Sequence, residues 1–161
     1  MTDLEYLRRA VQAAEEMSDD PRTKNGAVLV SADEDWVVTG ANSIPFGVER
    51  KAVRMKPPVK YDFIEHAERA AIYSAAYFGI RTGGARLYAP WFACPDCARA
   101  IVWAGISEVV GLAVIRELTP ERWLTKVTLG ERILSEADVS MRWLAEPLGM
   151  DMLFCGEKVS V

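Results

Sequence analysis

Histidine occurs once in these 161 residues and cysteine only three times, so any metal site must draw on very few donors. An odd cysteine count, with no basic and apolar opening segment, argues against a disulfide-built secreted fold; the expected location is cytoplasmic. No apolar run approaches the roughly 18 residues of a membrane-spanning helix, so no membrane partner is expected. A surplus of positive charge is also missing. The formal net charge is -4, which speaks against a general nucleic-acid binder with a basic footprint. Repeats and low-complexity tracts are absent, and 50% of the residues are hydrophobic, a composition that folds. The length suits one domain spanning 1–161.

What is present reads as alternating helices and strands. Leu4, Leu7, Val11 and Ala14 recur at helical spacing over 3–17. Two short β-forming runs, 27–30 and 36–39, flank Asp33-Glu34-Asp35, which suits a hairpin turn. The stretch 42–62 carries three prolines and reads as an extended loop. Helices are expected over 66–78 and 94–104, each followed by a strand, at 85–88 and 108–112. Thr119-Pro120-Glu121 has a capping hydroxyl and a proline suited to the first turn, so a helix should run to about 136. A fifth strand is expected over 139–144, and the last residues are left unassigned. This order predicts an α/β fold, a three-layer α/β/α sandwich around a central mixed sheet of about five strands.

The chemistry concentrates in two short motifs, His66-Ala67-Glu68 and Cys94-Pro95-Asp96-Cys97. One imidazole and two thiolates give Zn2+ three protein ligands and leave the fourth tetrahedral position open, the mark of a catalytic site. Cys94 and Cys97 are three apart, on one face of the helix they begin, with Pro95 at its first position. Residues two apart diverge in mid-helix, so His66 should sit at a helix start if Glu68 is to share its site. Two thiolates already offset the metal's charge, which makes a separate carboxylate, Glu68, useful as the proton carrier. A Cys-x-x-Cys pair alone also fits redox chemistry, and a lone histidine is most often an ordinary surface or core residue. It is the pairing of the two motifs that favours zinc catalysis. Cys155 stands apart and reads as a small buried hydrophobe.

These motifs resemble the cytidine and deoxycytidylate deaminase superfamily, whose signature is His-x-Glu followed by Pro-Cys-x-x-Cys. Ala93 stands where the family usually has proline. The likeness is greatest to the deoxycytidylate (dCMP) deaminase branch and covers most of the chain. Asp20 through Ala27 is similar to the lead-in to that branch's first strand. Gly40-Ala41-Asn42-Ser43-Ile44-Pro45 is similar to its Gly-x-Asn-Gly-x-Pro loop, with Ser43 replacing the second glycine.

The resemblance implies hydrolytic deamination of a free nucleotide's cytosine base, dCMP to dUMP plus ammonia, with Glu68 as the catalytic residue. It implies that Asn42 binds sugar or base edge, that backbone around Ala67 and Ala93 meets the pyrimidine, and that Trp91 or Phe92 stacks on the ring. A turn role for Asn42 fits the local spacing as well, and core packing is the commoner role for at least one of the two aromatics. The phosphate candidates, by charge alone, are Lys24, Arg50 and Arg54. The basic stretch over 50–60 reads either as a solvated loop or as attraction for an anionic substrate. Relatives assemble as dimers or hexamers, so a homo-oligomer is expected. Other deaminase substrates (guanine, cytosine, a modified cytosine, tRNA adenosine) and a non-catalytic zinc-binding assembly protein remain the alternatives.

Overall fold

The computed structural model describes all residues from Met1 to Val161. Its first helix, α1 (Asp3–Met17), begins with a reciprocal cap: the Thr2 hydroxyl accepts the Glu5 amide and the Glu5 carboxylate accepts the Thr2 amide. Strands β1 (Gly26–Val30) and β2 (Val37–Ala41) follow, joined through the expected turn with Glu34 at positive φ. The expected extended loop over 42–62 is partly helical: it holds a 3-10 turn at Ala52–Met55 and most of the short helix α2 (Lys60–Phe63). Then come α3 (Ala67–Tyr77), β3 (Arg86–Tyr88), α4 (Pro95–Trp103) and β4 (Glu108–Leu112).

Beyond β4 the chain departs further from expectation. A short helix α5 (Ala113–Glu117) precedes α6 (Glu121–Glu136). Thr119 does not cap α6. Pro120 occupies the cap position, and the Thr119 hydroxyl donates to the Ile115 carbonyl while accepting Trp91 Nε1–H. Strand β5 (Ser140–Leu144) completes the sheet, and the unassigned tail forms a separate hairpin, β6 (Asp151–Phe154) and β7 (Glu157–Ser160).

The central sheet has five strands in the order β2-β1-β3-β4-β5. β1 is antiparallel to both β2 and β3, whereas β3, β4 and β5 are parallel, so the sheet is mixed as expected. Alternate side chains serve two cores. Ala27, Leu29, Leu87 and Val109 pack with Ala71, Ala98, Ile101 and Leu134 from α3, α4 and α6. Val28, Val30, Tyr88 and Val110 pack on the opposite face with Leu7, Val11, Ile115 and Met152 from α1, α5 and the hairpin. This is the three-layer sandwich.

Asp3 ties α1 to the sheet, accepting from Arg142 at 2.8 Å and from the Tyr88 hydroxyl at 2.7 Å. The Arg142 hydrogen bond leads the effects that hold its carboxyl below the usual range. A depressed carboxylate stabilises the fold above its unfolded-state value and loses that contribution as pH falls through the folded-state value. Asp3→Asn should therefore flatten the acid limb of stability, read as denaturant midpoint against pH below the ordinary carboxylate range. An unchanged acid limb would count against this tie.

Candidate active site

Both motif halves open a helix on the same side of the sheet. His66 is the N-cap of α3, with extended backbone (φ -75°, ψ 150°), and Cys94 is the N-cap of α4, with Pro95 in the first turn. Extended geometry at His66 lets its imidazole and the Glu68 side chain share one site although they are two residues apart. A glycine-mediated contact fixes the loop before Cys94. Gly130 of α6 lies so close to the Ala93 carbonyl that an added Cβ would fall inside van der Waals contact with that backbone. Gly130→Ala should push α6 off the loop, lowering the melting temperature and the zinc affinity together. Parent-like values for both would remove Gly130 from the account.

The His66 Nδ1 atom stands 3.5 Å from each of the Cys94 and Cys97 sulfurs, and the three donors lie within 4.8 Å of one another. Tetrahedral zinc, with bonds of about 2.3 Å to sulfur and 2.0–2.1 Å to nitrogen, separates those ligand types by about 3.5–3.6 Å. The nitrogen–sulfur spacings therefore match those of zinc; no other cysteine joins the group, and the chain has no second histidine. Without metal, a hydrogen bond from Cys97 helps hold the Cys94 thiol down to about 4, while the same bond and burial push Cys97 up. A low-lying thiolate at a helix N-terminus is ready to bind metal.

Glu68 is 3% exposed and lines the same cavity as His66 and Cys94. Burial pushes its carboxyl above the ordinary value. The adjacent Arg69 does not neutralise it, because Arg69 pairs with Glu65 and with Asp96 at 3.5 Å. Glu65 also accepts the His66 amide at 2.8 Å. Arg69 thus ties the approach to His66 to the residue between the two cysteines. Burial works against its charge, but the neighbouring Cys97–Cys94 pair and the hydrogen-bonded Glu65 carboxylate outweigh it and keep it protonated.

The cavity has a volume of about 810 Å³ and runs from these donors to α2, α6 and the hairpin turn at Cys155. Ala67 and Phe92 line it, but Phe92 is 2% exposed and stacks on Trp143 at 4.1 Å, a core position. Ala93 lies beneath the wall, 1% exposed, and does not line the cavity. Trp91 lines it with its indole N–H held by Thr119. Asn42 also lines the wall, yet most of its amide is already used. Its Oδ1 accepts the Ser18 hydroxyl and the Asn25 amide, and its Nδ2 donates to the Thr23 carbonyl, leaving one N–H free.

None of the three phosphate candidates reaches this cavity. Lys24 pairs with Glu15, Arg50 with Asp19, and Arg54 donates to the Glu49 carbonyl and covers the Phe63 ring. Of the basic stretch, Lys60 alone lines the wall, buried against Asp20 at 2.6 Å. Sequence reasoning assigned no site role to Arg22, Arg122, Trp123 and Lys126, which do line it, Trp123 reading there as an interface or core residue. The only signal for the last three was a helix face with two cations four residues apart.

Comparison with known proteins agrees with this site. The family model for the cytidine and deoxycytidylate deaminase zinc-binding region matches residues 1–113. A deaminase of Aliivibrio fischeri is 32% identical over 142 residues, covering 86% of this chain and 93% of its own. Human deoxycytidylate deaminase is 30% identical over 112 residues, 66% of this chain, which spans only 62% of the human protein's length. The crystal structure of a cyanophage S-TIM5 dCMP deaminase in complex with dCMP and dUMP shares the fold, with a TM-score of 0.68 and 23% identity over 87% of this chain and 94% of that one. With a matching family model across most of its length and a zinc-ready donor triangle at its centre, the chain belongs to the zinc-dependent cytidine and deoxycytidylate deaminase family.

Proposed function

We propose that this protein hydrolyses dCMP to dUMP and ammonia, as one domain spanning residues 1–161. The observation that carries this reading is the shared cavity lined by a buried carboxylate, Glu68, and by His66 and Cys94 of the donor triangle that buried Cys97 completes. Its likeness to deoxycytidylate deaminases in sequence and to a dCMP-bound relative in fold supports the choice of base.

His66, Cys94 and Cys97 would hold zinc, which when bound supplies the polarisation that ionises water near neutral pH. Glu68 takes a proton from the attacking water and delivers it to ring N3 as oxygen adds at C4. It then carries the second water proton to the exocyclic nitrogen, the C4–N4 bond breaks, and ammonia leaves a carbonyl at C4. A carboxyl raised by burial suits both halves of this task, because it must release a proton as readily as it accepts one. Arg69, half-buried between Glu65 and Asp96, keeps the donors in place while the proton moves. The free N–H of Asn42 is the candidate contact to the sugar.

Exposed aromatics at the ends of α3 and α4, Tyr77 at 84% and Trp103 at 89%, favour a homo-oligomer built through these helices. No helix is long and apolar enough to cross a membrane. Three free thiols suit a reducing compartment, and a cytoplasmic location belongs to the same proposal.

The deciding experiment is ammonia release from dCMP, CMP, deoxycytidine, cytosine, 5-methyl-dCMP and guanine. The proposal expects the highest kcat/KM on dCMP. Turnover of guanine alone would overturn the choice of base and leave the zinc chemistry standing.

A further inference from the structure

The protein is acidic overall, yet the walls of its main cavity are rich in cations. Three of these cations are already engaged: Lys60 and Arg69 are spent on Asp20 and on Glu65 with Asp96, and Arg22 donates to the Cys155 carbonyl, so they hold the walls together. Arg122 and Lys126 have no carboxylate partner and stand exposed at the mouth, on one face of α6 and one turn apart. Residues so spaced place their Cβ atoms about 5–6 Å apart, within joint reach of one phosphate group. Between them Trp123 meets Tyr61 of α2 edge-on at 6.1 Å, and Lys126 Nζ lies 5.4 Å from the Trp123 ring. Val127, 3% exposed, turns inward from the same stretch of helix and lines the cavity too. The cationic face of α6 is thereby fixed across the opening from α2.

From this placement we infer that Arg122 and Lys126 grip the 5′-phosphate of the substrate and make the enzyme selective for nucleotides over nucleosides. The inference rests on the dCMP reading above and specifies how it is achieved. A guanidinium binds phosphate oxygens through two parallel hydrogen bonds, and an ammonium adds a movable point charge. Both residues lie beyond the matched zinc-binding region at 1–113. Metal chemistry and choice of substrate thus come from different stretches of the chain: the first from α3 and α4, the second from the helix packed over them through Gly130.

The test is a pair of variants, Arg122→Gln with Lys126→Gln together and Arg122→Lys alone, assayed on dCMP and on deoxycytidine. Both side chains are exposed, so the variants should fold. The double variant should lower the ratio of kcat/KM for dCMP to that for deoxycytidine by at least about 10–100-fold, since one lost charged hydrogen bond alone is worth that much. Arg122→Lys should fall between parent and double variant. A ratio within twofold of the parent (about 0.4 kcal/mol) would overturn the assignment. Calorimetric titration with dUMP separates this from the dCMP reading. If no cytosine compound is turned over but dUMP binds the parent and not the double variant, the anion grip stands and the reaction assignment falls. Equal binding of dUMP by parent and double variant overturns the grip, whatever the enzyme's activity.

Discussion

Glu68→Gln should keep its zinc and lose about 10²–10⁴-fold in kcat, the usual worth of a positioned proton carrier. The carboxamide has nearly the same shape, so the surroundings of this buried side chain need not move. What disappears is the capacity to accept a proton from water and return it to the ring. A purely structural zinc site, as in an assembly protein, would need no carboxylate beside an open ligand position. The two readings separate cleanly. Full zinc with little turnover fits catalysis, whereas parent-like turnover would reassign Glu68 to a structural part. Loss of zinc in this variant would instead mean that Glu68 takes part in holding the metal.

The second large effect is on stability. Lys60 and Asp20 are each 7% exposed and meet at 2.6 Å. Asp20 also accepts the amides of Arg22 and Thr23, so one carboxylate orders the segment entering β1 and anchors α2. Lys60→Met leaves that carboxylate buried without its cation, which should cost about 3–5 kcal/mol, or roughly 10 °C in melting temperature. Asp20→Asn added to it removes the stranded charge but keeps an oxygen for the two amides, and should recover most of the loss. A single variant melting within about 2 °C of the parent would show the pair to be dispensable. Both partners line the cavity, so kcat/KM should fall with stability in the single variant and return with it in the double.

How far the sequence discloses this site depends on the range of each interaction. The metal donors are legible because each half-motif opens its own helix: Cys94 and Cys97 are set by three-residue spacing and Pro95, and His66 by its place before Ala67. The sheet is legible because Val28 and Leu29, or Val109 and Val110, alternate between two cores within single strands. The phosphate candidates illustrate the opposite case. Charge density marks Arg50 and Arg54, but Asp19, 31 residues from Arg50 in sequence, takes the first, and the second turns onto Phe63. Arg122 and Lys126 carry no local mark of function. They reach the cavity only because Gly130, a turn further along α6, lets that helix settle on the Ala93 carbonyl. The Cys155 turn enters the wall for a similar reason: Arg22 donates to its carbonyl and packs against Gly156. Neither packing contact leaves a periodic trace in the sequence.

X-ray absorption at the zinc edge of the purified protein tests the central claim most directly, since it reports ligand type and distance together. One zinc per chain should show two sulfurs at about 2.3 Å and two nitrogen or oxygen neighbours at about 2.0–2.1 Å, His66 and a water. A zinc-free active protein, or a shell of three or four sulfurs with no oxygen, would contradict it.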